Sequence, residues 1–253
     1  MEDREWLDCP RPNPRASVRL LCLPYAGGGA STFRSWAQEA PGDLEVAAVQ
    51  LPGRQKRWKE KPFTSLETLI PVLADALLPG LRPPFALLGH SMGALIGFEL
   101  ARELRRRGRP LPFHLFVSGC RAPQIPPTAA PIHDLPDPEF IDSLRRLNGT
   151  PAEVVADEEL MRLFLPVLRA DFALIETHRY KEQPPLPCPI SAFGGLGDAE
   201  VSREDLTAWR MQTTGRFFSR FYTGGHFFLH EHHSALLGAI RQDLLESVRM
   251  QTA

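Results

Sequence analysis

Short, uninterrupted apolar runs alternate along this chain with longer amphipathic stretches, and that alternation restricts the fold more than any other feature. Val18–Leu23, Leu44–Val49, Phe85–Leu88, Phe113–Val117, Ile190–Phe193 and Phe217–Tyr222 read as strands. Helical periodicity fills the intervals at Ser31–Ala40, Ser65–Leu78, Met92–Arg107, Ser202–Met211 and Ser234–Val248. Strands that are apolar on both faces must be covered on both, and the connecting helices are what covers them. The pattern predicts one α/β domain built on a mostly parallel sheet.

The rhythm breaks once. Pro123, Pro126, Pro127, Pro131, Pro136 and Pro138 crowd a stretch that can be neither regular helix nor central strand. Two helical segments follow, Glu139–Leu147 and Asp157–Thr177, the second containing Pro166, before the next strand begins at Ile190. A crossover of about seventy residues is far longer than a βαβ connection needs. We therefore expect a single domain over residues 1–253 with an insertion at about 123–180, placed as a lid or packed on the body.

Bulk charge excludes some partners. The net charge is −1, so no overall field favours nucleic acid, and no apolar run is long enough to span a bilayer. The amino terminus is acidic and proline-broken, unlike a secretory signal. Cys9, Cys22, Cys120 and Cys188 lack paired spacing and suit free thiols in a reducing cytoplasm.

The chemistry gathers around Gly89-His90-Ser91-Met92-Gly93, which follows an apolar strand and opens a helix. In G-x-S-x-G the chain turns sharply and presents the serine oxygen, while the glycines make room for neighbouring backbone. A hydroxyl needs a base, and the base needs an acid to orient it. Asp198, in GGLGDAEV after the strand ISAF, is the candidate acid. His226, after FFSRFY and Gly224-Gly225, is the candidate base. The order Ser, Asp, His suits this architecture. Backbone N–H groups of Met92 and of Ala26, in the loop PYAGGGAS, are the candidate oxyanion donors. The run HFFLHEHH does not match the zinc motif HExxH, and AGGGAS matches neither a GxGxxG fingerprint nor a P-loop. We expect neither metal nor cofactor.

The segments LPYAGGGAS, LPGR, GHSMG, SGCRAP, LPDPEF, GTP, LPVLRADF, GLGDAEV and GGHFFL, taken together, resemble the type II thioesterases. These are stand-alone α/β-hydrolases that accompany polyketide, nonribosomal peptide and fatty acid synthases. Only the first fifteen or so residues and the last few lie outside the likeness. The resemblance implies Ser91 as nucleophile, His226 as base and Asp198 as its orienter. It also implies Ala26 and Met92 as oxyanion donors and a lid over an acyl chamber. The substrate implied is an acyl group on the phosphopantetheine arm of a carrier protein, removed when stalled or misprimed. Ala199 and Cys120 depart from common residues of the pattern, at positions without a catalytic role.

Within the lid, Phe164, Leu168 and Phe172 are candidates to line the acyl pocket, against ordinary packing. Arg54, Arg57 and Lys59 in GRQKRWKEK, with Trp58 as an anchor, are candidates to dock the acidic carrier protein, against a merely solvated loop. RELRRRGRP, from Arg102, reads as a solvated face that complements a helix dipole. A transient carrier-protein partner and a monomer are expected. The alternatives are a discrete chain-releasing thioesterase, a lipase or esterase for free esters, and a catalytically idle hydrolase used for interaction.

Overall fold

The computed structural model describes residues 3–81, 84–147 and 157–251. Its strands are β1 (Leu7–Asp8), β2 (Val18–Leu23), β3 (Leu44–Val49), β4 (Phe85–His90), β5 (Leu115–Ser118), β6 (Ile190–Gly195) and β7 (Phe217–Tyr222). They form one sheet in the order β1-β3-β2-β4-β5-β6-β7. Every pairing from β3 to β7 is parallel, and β1 alone pairs antiparallel, at the edge beside β3. The six expected strands are all present. A two-residue edge strand offers no periodicity to read, and β1 went unpredicted for that reason.

Alternate residues of each strand enter different cores, as the period of two requires. Leu21, Leu23, Phe85, Leu87, Leu115 and Ile190 pack against helices α3 (Leu66–Leu77) and α4 (Met92–Arg106). Leu20, Cys22, Ala86, Leu88, Phe116 and Phe193 pack against α2 (Arg34–Glu39) and α8 (His233–Gln251). A short amino-terminal helix α1 (Asp3–Trp6) leads into β1, and α7 (Arg203–Thr207) follows β6. Ser65 caps α3 by accepting the N–H of Glu67, and Ser202 forms a capping box with Asp205 on α7.

Between β5 and β6 lie α5 (Asp137–Leu147) and α6 (Glu158–Glu176). Asp157 caps α6 by accepting the N–H groups of Glu159 and Leu160. Phe140 and Leu144 of α5 meet Met161, Leu165 and Leu168 of α6 in a small core of their own. Residues 148–156, within the expected insertion, lie outside the described residues. Glu176, the last residue of α6, stitches the insertion to the proline-rich segment: its carboxylate accepts the N–H groups of Ile132 and His133.

The basic cluster at the end of α4 divides: Arg106, in the last turn, keeps the solvated face expected for it, whereas Arg102 and Arg105 turn to the chain beside them. Arg102 is buried, its guanidinium over the rings of Phe98 and Tyr180, donating to Gln183 and to the carbonyl of Lys181. Arg105 donates to the carbonyls of Pro184 and Pro185. Arg102 and Arg105 clamp the extended segment that returns from the insertion to β6. No helix among the described residues is long and apolar enough to cross a membrane.

Candidate active site

The site is assembled at the carboxyl ends of β2, β4, β6 and β7. Ser91 follows β4 and holds φ 53°, ψ −118°, a conformation an L-residue rarely adopts. Half-buried, it remains reachable from solvent. Its strain is sustained by the two flanking glycines. A Cβ on Gly89 would lie 2.1 Å from the carbonyl oxygen of Gly93, and a Cβ on Gly93 2.1 Å from that of Leu23. The first contact lets the helix start fold back on its own strand, and the second lets it press on the end of β2.

Asp198 sits in the loop after β6. Its Oδ1 accepts the N–H groups of Glu200 at 2.8 Å and Val201 at 3.2 Å, and its side chain is only 1% exposed. His226 donates from Nδ1 to Asp198 Oδ2 at 2.8 Å. A carboxylate so supplied can only accept, which places the imidazole proton on Nδ1 and leaves Nε2 as the basic atom. Backbone contacts bring the two loops together. Leu196 N–H donates to the carbonyl of Tyr222 at 2.7 Å and Gly197 N–H to that of Gly224 at 2.8 Å. A Cβ on Gly195 would meet the carbonyl oxygen of Gly225 at 2.3 Å. Gly195 therefore belongs to the site's construction, and the sequence reading did not single it out.

The loop after β2 turns at Tyr25–Gly28, closed by Gly28 N–H to the carbonyl of Tyr25 at 2.9 Å. Gly27 has φ +77°, the value a type II turn places at its third residue. Ala26 lies at the second position, and Met92 is the first residue of α4, where an N–H has no partner within the helix. Tyr25 packs edge-on against His90 and Phe227, with centroids 5.8 and 5.0 Å apart, so this loop borders the serine turn and the His226 segment together.

His90, inside the serine motif, is a structural histidine. Burial holds it neutral, well below the usual histidine range, and its Nδ1 meets Ser118 Oγ at 2.9 Å. Its ring lies 5.1 Å from that of His226 and backs it from behind. A second grouping of Ser, His and Asp occurs at the opposite end of the sheet. Ser191 Oγ donates to Asp243 Oδ2 at 2.6 Å and lies 2.9 Å from His114 Nε2. All three residues are completely buried, and the serine rather than the histidine stands in the middle. A hydroxyl whose hydrogen bond is donated to a carboxylate rather than to a base, and which is sealed from solvent, cannot attack a substrate.

The docking reading of Arg54 and Arg57 is corrected by their burial. Arg54 makes a bidentate pair with Asp171 at 2.7 Å for both bonds, and both side chains are interior. Arg57 lies over the ring of Trp6 at 4.0 Å and pairs with Glu60. A basic sequence does not reveal which of its cations has a carboxylate waiting. Lys59 is exposed, and Trp58, 66% exposed, carries it over its ring. The acyl-pocket candidates divide as well. Phe164 faces outward with Leu160 and Leu163, whereas Leu168 is buried and Phe172 half-buried, edge-on to Phe140. Leu168 abuts the turn after β2: a Cβ on Gly27 would come within 2.7 Å of its Cδ2.

Comparison with protein families matches the thioesterase domain over residues 18–244. The gramicidin S biosynthesis protein GrsT of Aneurinibacillus migulanus is 49% identical across 90% of this chain and 89% of its own length. The chain belongs to the thioesterase family. Among solved structures, the type II thioesterase BorB from the borrelidin biosynthetic cluster superposes with a TM-score of 0.86 at 42% identity, covering 94% of this chain and 97% of BorB. The thioesterase RedJ of the prodiginine pathway in Streptomyces coelicolor gives 0.85 at 42% identity, covering 91% and 92%. This thioesterase accordingly has the α/β-hydrolase fold and is a thioester hydrolase.

Proposed function

We propose that this thioesterase removes acyl groups from the phosphopantetheine arm of carrier proteins in polyketide or nonribosomal peptide biosynthesis, clearing stalled or misprimed chains. The observation that carries this reading is the likeness over nine-tenths of the chain to GrsT, BorB and RedJ, named for gramicidin S, borrelidin and prodiginine biosynthesis, and to YbtT, described as a type II thioesterase of the yersiniabactin NRPS/PKS pathway. In the proposed reaction Ser91 Oγ attacks the thioester carbonyl while His226 Nε2 takes its proton. Asp198 holds the imidazole and stabilises its cationic form. The carbonyl oxygen becomes an oxyanion facing the N–H groups of Ala26 and Met92. Collapse expels the phosphopantetheine thiolate and leaves an acyl-Ser91 ester. Water activated by the same Nε2 then releases the carboxylic acid. A thiolate leaves readily, so protonation of the leaving group contributes less here than in amide cleavage.

Lys59 and Trp58, on the rim reached from the carboxyl end of β3, are proposed to meet the acidic carrier domain. Leu168 and Phe172 are proposed to bound the acyl chain beside the β2 turn, with α5 and α6 as its cover. Phe164 stands at the outer edge of that cover. A cytoplasmic setting suits four free thiols.

Turnover of acyl-carrier proteins, acyl-CoA and nitrophenyl esters by the same enzyme preparation tests the proposal. We expect kcat/KM to be highest for carrier-bound short chains. Equal or better turnover of the free esters would point instead to a small-ester hydrolase. Lys59→Glu with Trp58→Ala should raise KM for the carrier substrate and leave nitrophenyl ester hydrolysis unchanged.

A further inference from the structure

The sequence likeness explains Ser91, Asp198 and His226 but leaves a buried charged group in the insertion without a role. Asp171 lies on α6, fully buried, and its carboxylate is directed out of the insertion at the turn after β2. Oδ2 accepts the N–H of Gly27 at 2.7 Å. The same oxygen accepts Arg54 Nη1 at 2.7 Å, while Oδ1 accepts Arg54 Nη2 at 2.7 Å. Arg54 Nη1 also donates to the carbonyl of Gly28 at 3.0 Å, and its Nε to that of Pro52 at 3.3 Å. A further side chain completes the hold. Gln50 donates to the carbonyl of Arg54 at 3.1 Å and accepts the N–H of Ala30 at 3.1 Å.

From these contacts we infer that Asp171, with Arg54, is a positioning residue for the oxyanion hole, aiming the Ala26 N–H from the helix that covers the acyl side. The geometry follows from peptide planarity. The Ala26 N–H lies antiparallel to the Tyr25 carbonyl across one trans peptide, so whatever fixes that carbonyl fixes the donor. The Tyr25 carbonyl is held by Gly28 N–H, Gly28's own carbonyl by Arg54, and the intervening Gly27 N–H by Asp171. Gly27, with φ +77° and no side chain, cannot resist reorientation on its own. Two interior charges supply the rigidity that the glycine-rich sequence lacks. An oxyanion donor works only if it is aimed before the charge develops, so a loose turn lowers the rate of the chemical step more than it weakens substrate binding.

The inference rests on the proposed roles of Ser91 and Ala26, and its test separates the two. Asp171→Leu combined with Arg54→Met removes both charges together and avoids an unpaired ion in the interior. Arg54→Lys keeps the charge but loses the fork that reaches both Asp171 and Gly28. For each, kcat and KM with an acyl-carrier thioester are measured, together with the rate of Ser91 labelling by a fluorophosphonate and the melting temperature. We expect cooperative melting, KM within about threefold of wild type, and kcat and labelling rate lower by about 30- to 300-fold, of the order of losing one donor. Arg54→Lys, which keeps the buried charge pair, supplies the test if the double variant does not fold. A folded variant of either kind that retains kcat and labelling, or loses only KM, overturns the inference. A Ser91→Ala enzyme run in parallel that still turned over thioester would overturn the underlying catalytic reading as well. If Ser91→Ala is inactive and the variants match wild type, only the positioning role falls.

Discussion

Ser91 concentrates the residue-scale physics, because its backbone strain, the glycines two residues to either side and its half-buried but reachable side chain depend on one another. Ser91→Ala should abolish fluorophosphonate labelling and reduce thioester turnover by at least about three decades, leaving what binding and the oxyanion donors supply. Asp198→Asn preserves the shape of the site but lets the imidazole adopt the wrong tautomer. Steady-state assays at pH 7 should then show kcat lower by about three to four decades, with little change in the urea midpoint. Gly93→Ala acts on folding instead. Its methyl would stand 2.1 Å from the Leu23 carbonyl oxygen, backbone that cannot give way cheaply. We expect a loss of about 3 kcal/mol or more by urea denaturation.

Among the elements, strand ends carry two Ser–His–Asp groupings of opposite purpose. At the carboxyl ends His226 meets Asp198 at 2.8 Å, and its ring lies 5.1 Å from that of His90, the residue before Ser91. At the amino ends Ser191 bridges His114 to Asp243, which Arg220 also holds by two bonds at 2.7 and 2.6 Å. The His114 ring stacks on Phe116 with centroids 4.2 Å apart. This cluster ties β5 and β6 to α8. Ser191→Ala should cost about 1–3 kcal/mol, because His114 loses its buried partner, and should leave kcat unchanged. A Ser191→Ala protein of normal stability and no activity would contradict that assignment. The helices of the insertion obey the same logic. Their shared core takes Phe140, Leu144, Met161, Leu165 and Leu168, and Leu174 enters the main core, whereas Leu160, Leu163 and Phe164 stay exposed.

For the whole molecule, the two buried histidines set an acid limit. Burial lowers His114 to about 4 and holds His90 well below 6.5, while the unfolded chain protonates both near 6.5. Between those values the unfolded state binds protons that the native state does not, so stability present above pH 6.5 is lost as pH falls. Each histidine contributes a slope of up to about 1.4 kcal/mol per pH unit. Denaturation midpoints measured from pH 7 to 5 should fall accordingly. His114→Gln should flatten the slope by up to about one proton even if it lowers stability at every pH.

Alternating apolar runs and amphipathic helices determined the layered α/β architecture, because burial on both faces leaves a parallel strand few other patterns. Local motifs determined where the serine turn, Asp198 and His226 would stand, since each needs a turn residue at a strand end. Tertiary structure alone decided which charges are interior. Arg54, Arg57 and Arg102 read as solvated cations because a sequence shows a residue's charge but not its partner. Asp171 and the carbonyl of Lys181 come into reach only once the insertion has folded against the β2 and β3 loops and α4, and the Trp6 ring covers Arg57 only once β1 has paired with β3. It likewise decided the place of Ser191, which no motif marks: burial and a hydrogen bond to Asp243 make it a sealed clasp between His114 and α8.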